Sequence, residues 1–202
     1  MDTGCVIINY GMGNLASVSK AMRKIGVEHL ITSDPRVVMQ AKTLILPGVG
    51  SFQAAMQNLN SSGLAEAIKT NIQRGTTKLL GICLGMQLLA DNGYEPEYCP
   101  GLGLIPGEVM RLDCRLPVPH MGWNNIEIRN PRYFKGVSNF DFYFVHSYHF
   151  KPHHEEDIAA VSDYDGEFVA AVQRGNVFGC QFHPEKSQRA GLTVLEHFFK
   201  DA

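Results

Sequence analysis

The stretch Lys78-Leu79-Leu80-Gly81-Ile82-Cys83-Leu84-Gly85 decides the fold of this chain. Its apolar start is typical of a buried β-strand, and the residues from Leu84 to about Ala90 have helical spacing. Gly81 to Gly85 has the form G-x-nucleophile-x-G, which presents a reactive side chain on a sharp turn between strand and helix. Glycines are expected on both sides of Cys83 because such a turn leaves no room for side chains there. The stretch therefore predicts a strand–turn–helix unit with Cys83 at the turn.

The residues before this unit repeat the order of strand and helix. Val6-Ile7-Ile8 precedes a turn-rich segment and then a helical pattern from Leu15 to Ile25. Thr43 to Leu46 precedes two further helical patterns, about 52–59 and 64–73. Strands that alternate with helices and lack hairpin turns should lie parallel in one buried sheet.

After Asp91 the pattern changes to successive β-type segments, followed by an amphipathic stretch at 192–199. We therefore predict an α/β fold with a central, mostly parallel sheet flanked by helices and a mixed or antiparallel β extension in the second half. No internal repeat or low-complexity linker divides the chain, so residues 1–202 are predicted to be one domain. The predicted strands of the second half are 104–112, 124–128, 140–145, 158–161, 168–173 and 177–181.

Composition excludes several classes of protein. Of 202 residues, 45% are hydrophobic, which is enough for a sizeable core, and 18 basic side chains balance 20 acidic ones. Without a block of like charge, neither a nucleic acid nor an anionic membrane is expected as a partner. Met1 to Gly4 lacks the pattern of a secretory signal, and no apolar run is long enough to span a bilayer. A soluble cytoplasmic protein is the expectation.

The five cysteines are an odd number at irregular spacings and include no C-x-x-C pair. This pattern predicts reduced thiols and no zinc or redox site, so we expect no metal and no cofactor. Cys5 and Cys180 lie in apolar, strand-like runs and are interpreted as core residues.

A loop earlier in the chain complements the turn at Cys83. Pro47-Gly48-Val49-Gly50 follows a predicted strand, where glycines allow backbone N–H groups to point into a site. We predict an oxyanion hole formed by the N–H groups of Val49 and Leu84, and the helix after Cys83 should favour its thiolate. The alternatives are an ordinary Pro-Gly turn and a buried structural cysteine.

A thiolate nucleophile needs a base that also protonates the leaving group, and the base needs a carboxylate to fix its tautomer. His183 and Glu185, which follow the last predicted strand, are suited to these roles. Other histidines are better explained as solvated; these are His29, His153, His154 and His197.

Three motifs in this order resemble those of the class I (triad) glutamine amidotransferases. They are Pro47 to Gly50, Gly81 to Gln87, and Gln181-Phe182-His183-Pro184-Glu185. Tyr10 to Leu15, Pro119 to Asn124 and Tyr143 to Tyr148 are similar to segments of those family members that supply a cyclase with ammonia.

The resemblance implies that L-glutamine is hydrolysed to glutamate and ammonia by Cys83, His183 and Glu185. The ammonia would pass to a separate (βα)8-barrel cyclase subunit that makes imidazole glycerol phosphate and AICAR in histidine biosynthesis. By the same resemblance, one set of residues binds glutamine and another faces the cyclase and the ammonia exit. The first set is Gly50, Gln87, Ser147 and Tyr148, and the second is Asn14, Trp123 and Tyr143.

The residues alone leave alternatives open. Trp123 would by default be a core or surface-patch aromatic. Tyr143, His146 and Tyr148 alternate with apolar neighbours, as in a half-buried strand with a structural role. The chain has no phosphate-binding loop and no second domain for an acceptor, so it should act as one subunit of a complex. Rival functions are the same glutaminase chemistry for another acceptor, such as amidination of surface sugars, a catalytically silent binding module, and a thiol hydrolase of another small amide.

Overall fold

The computed structural model describes residues 4–200. Met1 to Thr3, on which the expectation of no secretory signal partly rests, lie outside the described residues. The strands are β1 (Cys5–Ile8), β2 (Leu30–Thr32), β3 (Thr43–Gly48), β4 (Lys78–Cys83), β5 (Asn92–Tyr94), β6 (Tyr98–Pro100), β7 (Gly107–Arg111), β8 (His120–Asn125), β9 (Glu127–Ile128), β10 (Asp141–His146), β11 (Tyr148–Pro152), β12 (Ile158–Asp163), β13 (Glu167–Arg174) and β14 (Val177–Cys180).

Among residues 4–200, six α-helices and two short 3-10 helices accompany the strands. The α-helices are α1 (Leu15–Lys24), α2 (Pro35–Val38), α3 (Phe52–Ser61), α4 (Leu64–Gln73), α5 (Leu84–Gln87) and α6 (Gln188–Lys200). The 3-10 helices are Glu155–Asp157 and Pro184–Lys186. None of the helices among residues 4–200 has the length and apolar character required to cross a membrane.

The central sheet has eight strands in the order β2-β1-β3-β4-β14-β13-β12-β9. Strands β2, β1, β3, β4 and β14 run parallel to one another, whereas β13, β12 and β9 add antiparallel pairs on the side of β14. The predicted α/β fold, with a parallel sheet extended by antiparallel strands from the second half, is confirmed.

Hydrophobic residues on the two faces of the sheet form two core clusters. In β1, Ile7 belongs to one cluster, and Val6 and Ile8 belong to the other, because successive side chains of a strand point to opposite faces. Helices α1 and α6 cover the first face, and α2, α3, α4 and α5 cover the second. This double burial explains why the strand runs are continuously apolar.

Two smaller sheets depart from the prediction. The predicted strands 104–112 and 140–145 do not extend the central sheet: β7 lies in a sheet of order β11-β7-β5-β6, and β10 pairs with β8 alone. The predicted strand 124–128 is instead the end of β8, which starts at His120, followed by β9. Hydrophobic alternation indicates a strand but does not indicate which strand it pairs with.

The helix after Cys83 is shorter than predicted. Helix α5 ends at Gln87 rather than near Ala90. The backbone N–H groups of Gly101 to Ile105 donate to carbonyls of residues 88–91, so this part of the chain packs against a loop instead of continuing the helix.

Candidate active site

The sheet brings the predicted nucleophile and the predicted oxyanion loop together. Strands β3 and β4 are parallel neighbours, with Gly48 aligned with Cys83 at their carboxyl ends. Strand β14 lies on the other side of β4 and also runs parallel to it, so the chain leaves β14 toward His183 at the same edge. Loops that follow neighbouring parallel strands meet at this edge, which is where α/β sheets place their sites.

Cys83 has the strained backbone of a nucleophile turn. Its φ of 55° and ψ of −111° lie outside the regions that a non-glycine residue ordinarily adopts. Gly81 has no space for a side chain, because its Cβ would stand 2.5 Å from the carbonyl oxygen of Gly85. The close approach of the chain on both sides of Cys83 is therefore the physical reason for the predicted G-x-C-x-G pattern.

His183 and Glu185 form a buried pair. Nδ1 of His183 lies 2.8 Å from Oε1 of Glu185, and the two side chains are 2% and 1% exposed. Burial lowers the pKa of His183, but the interactions with Cys83 and Glu185 outweigh it and raise the pKa to about 9. Nε2 of His183 is buried and makes no well-formed hydrogen bond with a described residue.

The other histidines differ in their surroundings. His153 and His154 are exposed, in agreement with the interpretation from sequence. His29 and His197 are half-buried rather than solvated, since His29 bonds to Ser19 at 2.7 Å and Nδ1 of His197 bonds to the Thr193 carbonyl at 3.0 Å. Cys5 and Cys180 are buried core residues, as predicted.

Gln181 is a site residue that sequence analysis did not identify. Its side chain is completely buried, and its Nε2 lies 3.8 Å from the sulfur of Cys83, within reach of a weak N–H···S hydrogen bond. Its Oε1 accepts a hydrogen bond of 3.0 Å from Nε2 of Gln87, which also donates to the Tyr148 carbonyl at 2.8 Å. Gln181 belongs to the motif around His183, and no local signal shows that it faces Cys83 on the neighbouring strand.

A cavity of about 320 Å³ opens beside the sulfur of Cys83. All six residues predicted to bind glutamine or to form the oxyanion hole line it. The lining includes Val49, Gly50, Cys83, Leu84, Gln87, Glu95, Pro119, Val145, His146, Ser147, Tyr148 and His183. This volume falls at the small end of the range for ligand pockets, as a single amino acid requires.

Glu95 is a second residue that sequence analysis missed. It lies in the connection between β5 and β6. Its Oε2 accepts a hydrogen bond of 2.9 Å from the N–H of Phe52, and burial raises its pKa. Among the described residues that line the cavity, Glu95 carries the one carboxylate.

The loop 47–50, which is predicted to contribute to an oxyanion hole, is tightly packed beneath the cavity. A Cβ on Gly48 would stand 2.6 Å from the Tyr10 hydroxyl oxygen and 2.8 Å from the Gly85 nitrogen. Gly50 has a φ of 104°, which favours glycine. Leu84 is the first residue of α5, so its N–H belongs to those that a helix leaves without an intrahelical partner.

Two of the three residues predicted to face a partner, Trp123 and Tyr143, form an aromatic patch near His183. The rings of Trp123 and Tyr143 are 6.1 Å apart, those of Tyr143 and His183 are 6.5 Å apart, and Nζ of Lys186 lies 5.6 Å from the Tyr143 ring centroid. Trp123 is 51% exposed, which excludes a core role for it. Asn14 does not line the cavity; its side chain caps helix α1 by accepting from the N–H of Ser17 at 3.3 Å.

Among residues 4–200, no three histidine, cysteine, aspartate or glutamate side chains are grouped so that they could hold a metal ion.

Comparison with known proteins agrees with this geometry. Residues 6–202 match the family Glutamine amidotransferase class-I. A solved structure described as a glutamine amidotransferase superposes with a TM-score of 0.77 at 21% identity, covering 98% of each chain, which shows the shared fold. The chain therefore belongs to the class-I glutamine amidotransferases.

Within this family the similarity is more specific. The imidazole glycerol phosphate synthase subunit HisH of Moorella thermoacetica is 50% identical over 95% of this chain and 92% of its own length. Subunit HisH 1 of Campylobacter jejuni serotype O:23/36 is 48% identical over 95% of this chain and 97% of its own length. The resemblance seen in the motifs is thereby confirmed over 95% of the chain.

Proposed function

We propose that this chain is a glutaminase subunit that hydrolyses L-glutamine and delivers the ammonia to a cyclase of histidine biosynthesis. The observation that carries the proposal is the meeting of Cys83 and the His183–Glu185 pair at one cavity large enough for an amino acid. A cysteine on a strained turn, next to a histidine that a carboxylate orients, is suited to acyl transfer to the cysteine sulfur.

The reaction proceeds through a thioester. The thiolate of Cys83 attacks the side-chain amide carbon of glutamine, and the N–H groups of Val49 and Leu84 stabilise the oxyanion. His183 gives its proton to the departing nitrogen, the C–N bond breaks, and ammonia leaves a γ-glutamyl thioester on Cys83. His183 then takes a proton from water, which attacks the thioester and releases glutamate and the thiolate. A His183 pKa of about 9 suits the first proton transfer, since the imidazole is then charged at neutral pH.

The cavity has groups suited to both ends of glutamine. Gly50, Gln87, Ser147 and Tyr148 line the cavity together with Cys83 and bring polar backbone and side-chain groups to it. Glu95 offers a carboxylate for the α-ammonium group of glutamine. An ion pair between them would offset the cost of the partial burial of Glu95. We assign these five residues to substrate binding.

The partner is proposed to be a (βα)8-barrel cyclase that forms a heterodimer with this chain in the cytoplasm and makes imidazole glycerol phosphate and AICAR. The exposed Trp123, with Tyr143 and Lys186 next to His183, offers an apolar and cationic patch for such a partner. Asn14 is assigned to the rim of the same interface. We further propose that residues 1–202 act as one domain without a metal or cofactor.

The acceptor is tested by ammonia transfer. Purified chain and glutamine are combined either with the cyclase of histidine biosynthesis or with a synthase that amidinates a surface sugar. We expect glutamine-dependent product only in the mixture that contains the cyclase of histidine biosynthesis. Product formation only with the amidinating synthase would overturn the assignment to histidine biosynthesis and leave the glutaminase chemistry intact.

A further inference from the structure

Two buried histidines outside the proposed triad connect strand β8 to the cavity. His120 lies in β8 and His146 ends β10, and these antiparallel strands place the two residues directly opposite each other. Nδ1 of His120 is 3.0 Å from Nε2 of His146, and the side chains are 3% and 5% exposed. Buried imidazoles in contact need a defined set of tautomers, because each nitrogen must match its partner.

The backbone fixes the tautomer of His146. Its Nδ1 lies 2.9 Å from the carbonyl oxygen of Tyr148, which only accepts, so Nδ1 of His146 carries the hydrogen. Burial lowers the pKa of His146 to about 3, and the imidazole is therefore neutral at neutral pH. Its Nε2 is then an acceptor, and the facing Nδ1 of His120 must be the donor.

Asn124 lies at the outer end of this series of hydrogen bonds. Its Nδ2 donates to the Asp163 carbonyl at 2.8 Å and lies 3.3 Å from Nε2 of His120, while its Oδ1 accepts from the N–H of Asn125. These bonds orient the amide so that a hydrogen of Nδ2 meets the acceptor nitrogen of neutral His120. Donor and acceptor match at each step from Asn124 to Tyr148.

The series of hydrogen bonds continues to the sulfur of Cys83. The Tyr148 carbonyl also accepts from Nε2 of Gln87, whose other hydrogen goes to Oε1 of Gln181. Nε2 of Gln181 then points to the sulfur of Cys83 at 3.8 Å. One carbonyl therefore joins the histidine pair to the side-chain amides of Gln87 and Gln181. Asn124 and Tyr148 are half-buried, and the other residues of the series are buried.

Aromatic packing holds His120 in this orientation. Its ring lies 4.1 Å from the ring of Tyr164 and stacks on Phe144 at 5.0 Å between centroids. The ring is thus clamped between neighbours, and its two nitrogens remain directed along the chain of bonds. A phenylalanine at this position would keep the packing but would supply neither donor nor acceptor.

We propose that His120 is a positioning residue for the glutaminase reaction, acting through His146 and the Tyr148 carbonyl on Gln87, Gln181 and the sulfur of Cys83. The proposal rests on the proposed glutaminase function. His120 touches neither the cavity nor the reacting atoms, so its effect should fall on the orientation of the nucleophile rather than on the affinity for glutamine.

The test compares two substitutions at His120 with one control, measured as glutamine hydrolysis by the complex with the liganded cyclase. We expect His120→Phe to lower kcat about tenfold with little change in KM. His120→Gln, whose amide retains one donor and one acceptor, should recover most of that loss. His149→Phe, which replaces another buried histidine that is outside the chain of bonds, should keep the wild-type kcat.

The outcomes separate this proposal from the function on which it rests. Wild-type kcat in His120→Phe, equal losses in both His120 variants, or an equal loss in His149→Phe would overturn the positioning role while leaving the glutaminase activity established. A wild-type complex that hydrolyses no glutamine would overturn the function itself.

A measurement on the wild-type protein tests this series of hydrogen bonds even if His120→Phe does not fold. With ¹⁵N-labelled histidine, NMR at neutral pH should show His120 and His146 as neutral imidazoles with the hydrogen on Nδ1. A hydrogen on Nε2 of either residue, or a positive charge on either, would contradict the proposal.

Discussion

Gly85 lies so close to Leu46 that a Cβ on Gly85 would stand 1.8 Å from the Leu46 carbonyl oxygen. This contact joins the turn that carries Cys83 to the neighbouring strand β3, and a backbone carbonyl cannot move aside as a flexible side chain can. Gly85→Ala should therefore destabilise the fold by at least about 3 kcal/mol or prevent folding. The free energy of unfolding in urea measures the effect.

The matched control is Gly4→Ala, since a Cβ at Gly4 meets no atom within 4 Å. It should leave the free energy of unfolding close to that of the wild type. Equal stability of the two alanine variants would contradict the account of the turn.

Glu185→Gln should slow glutamine hydrolysis. The amide keeps the shape of the side chain but loses the charge that, with Cys83, raises the pKa of His183. We expect a loss of about 10²-fold or more in kcat, as for the equivalent loss in serine triads, and the alkaline limb of the pH profile should move to lower pH because His183 loses its proton more readily. Glu196→Gln on α6 is the control, and wild-type kinetics in Glu185→Gln would exclude Glu185 from the triad.

Buried histidines should make the chain less stable in acid. Burial lowers the pKa of His146 to about 3 and that of His149 to about 4, below the ordinary value of 6.5. Their contribution to stability is therefore present above pH 6.5 and is lost as the pH falls through the folded pKa, at up to about 1.4 kcal/mol per pH unit for each group. His183 contributes oppositely: its stabilisation is complete below pH 6.5 and is lost as the pH rises through about 9.

A difference measurement isolates this effect from the carboxyl groups, which also titrate in acid. Urea unfolding between pH 6.5 and about pH 5 should show a smaller loss of stability in His149→Phe than in the wild type. Parallel losses in the two proteins would show that His149 is not held neutral by the fold.

Trp123 should be important for binding the proposed cyclase. It is the single tryptophan of the chain and is 51% exposed beside Tyr143. Trp123→Ala should weaken the complex about tenfold or more, as expected for an aromatic anchor. Tyr98→Ala, which removes another exposed aromatic side chain, should leave the Kd unchanged. Calorimetric titration measures both, and equal affinities of the two variants would place the interface elsewhere.

The sequence predicted the parts of the site that have local signatures. Cys83 is surrounded by the glycines that its turn requires, and His183 with Glu185 follows a strongly apolar strand; the structure brings these three residues together. The parallel part of the sheet was equally predictable, because continuous apolar runs alternate with helical patterns there.

The rest of the site depends on contacts that sequence spacing does not contain. Gln181 reaches Cys83 across neighbouring strands, and Glu95 enters the cavity from a short hairpin in a Gly- and Pro-rich stretch. His120 and His146 meet only through the register of β8 and β10. Strand pairing outside the central sheet was wrong or missing for the same reason: strands of three residues such as β5 and β6 have too few positions to show alternation.

The central claim is that Cys83 hydrolyses glutamine in a cavity completed by His183 and Glu185. The most direct test measures glutamate formation by the purified chain, wild type and Cys83→Ala, each alone and with the liganded cyclase. We predict weak turnover of the wild type alone, a marked rise with the liganded cyclase, and no turnover of Cys83→Ala in either condition. Glutamate formation by Cys83→Ala at the wild-type rate would contradict the account.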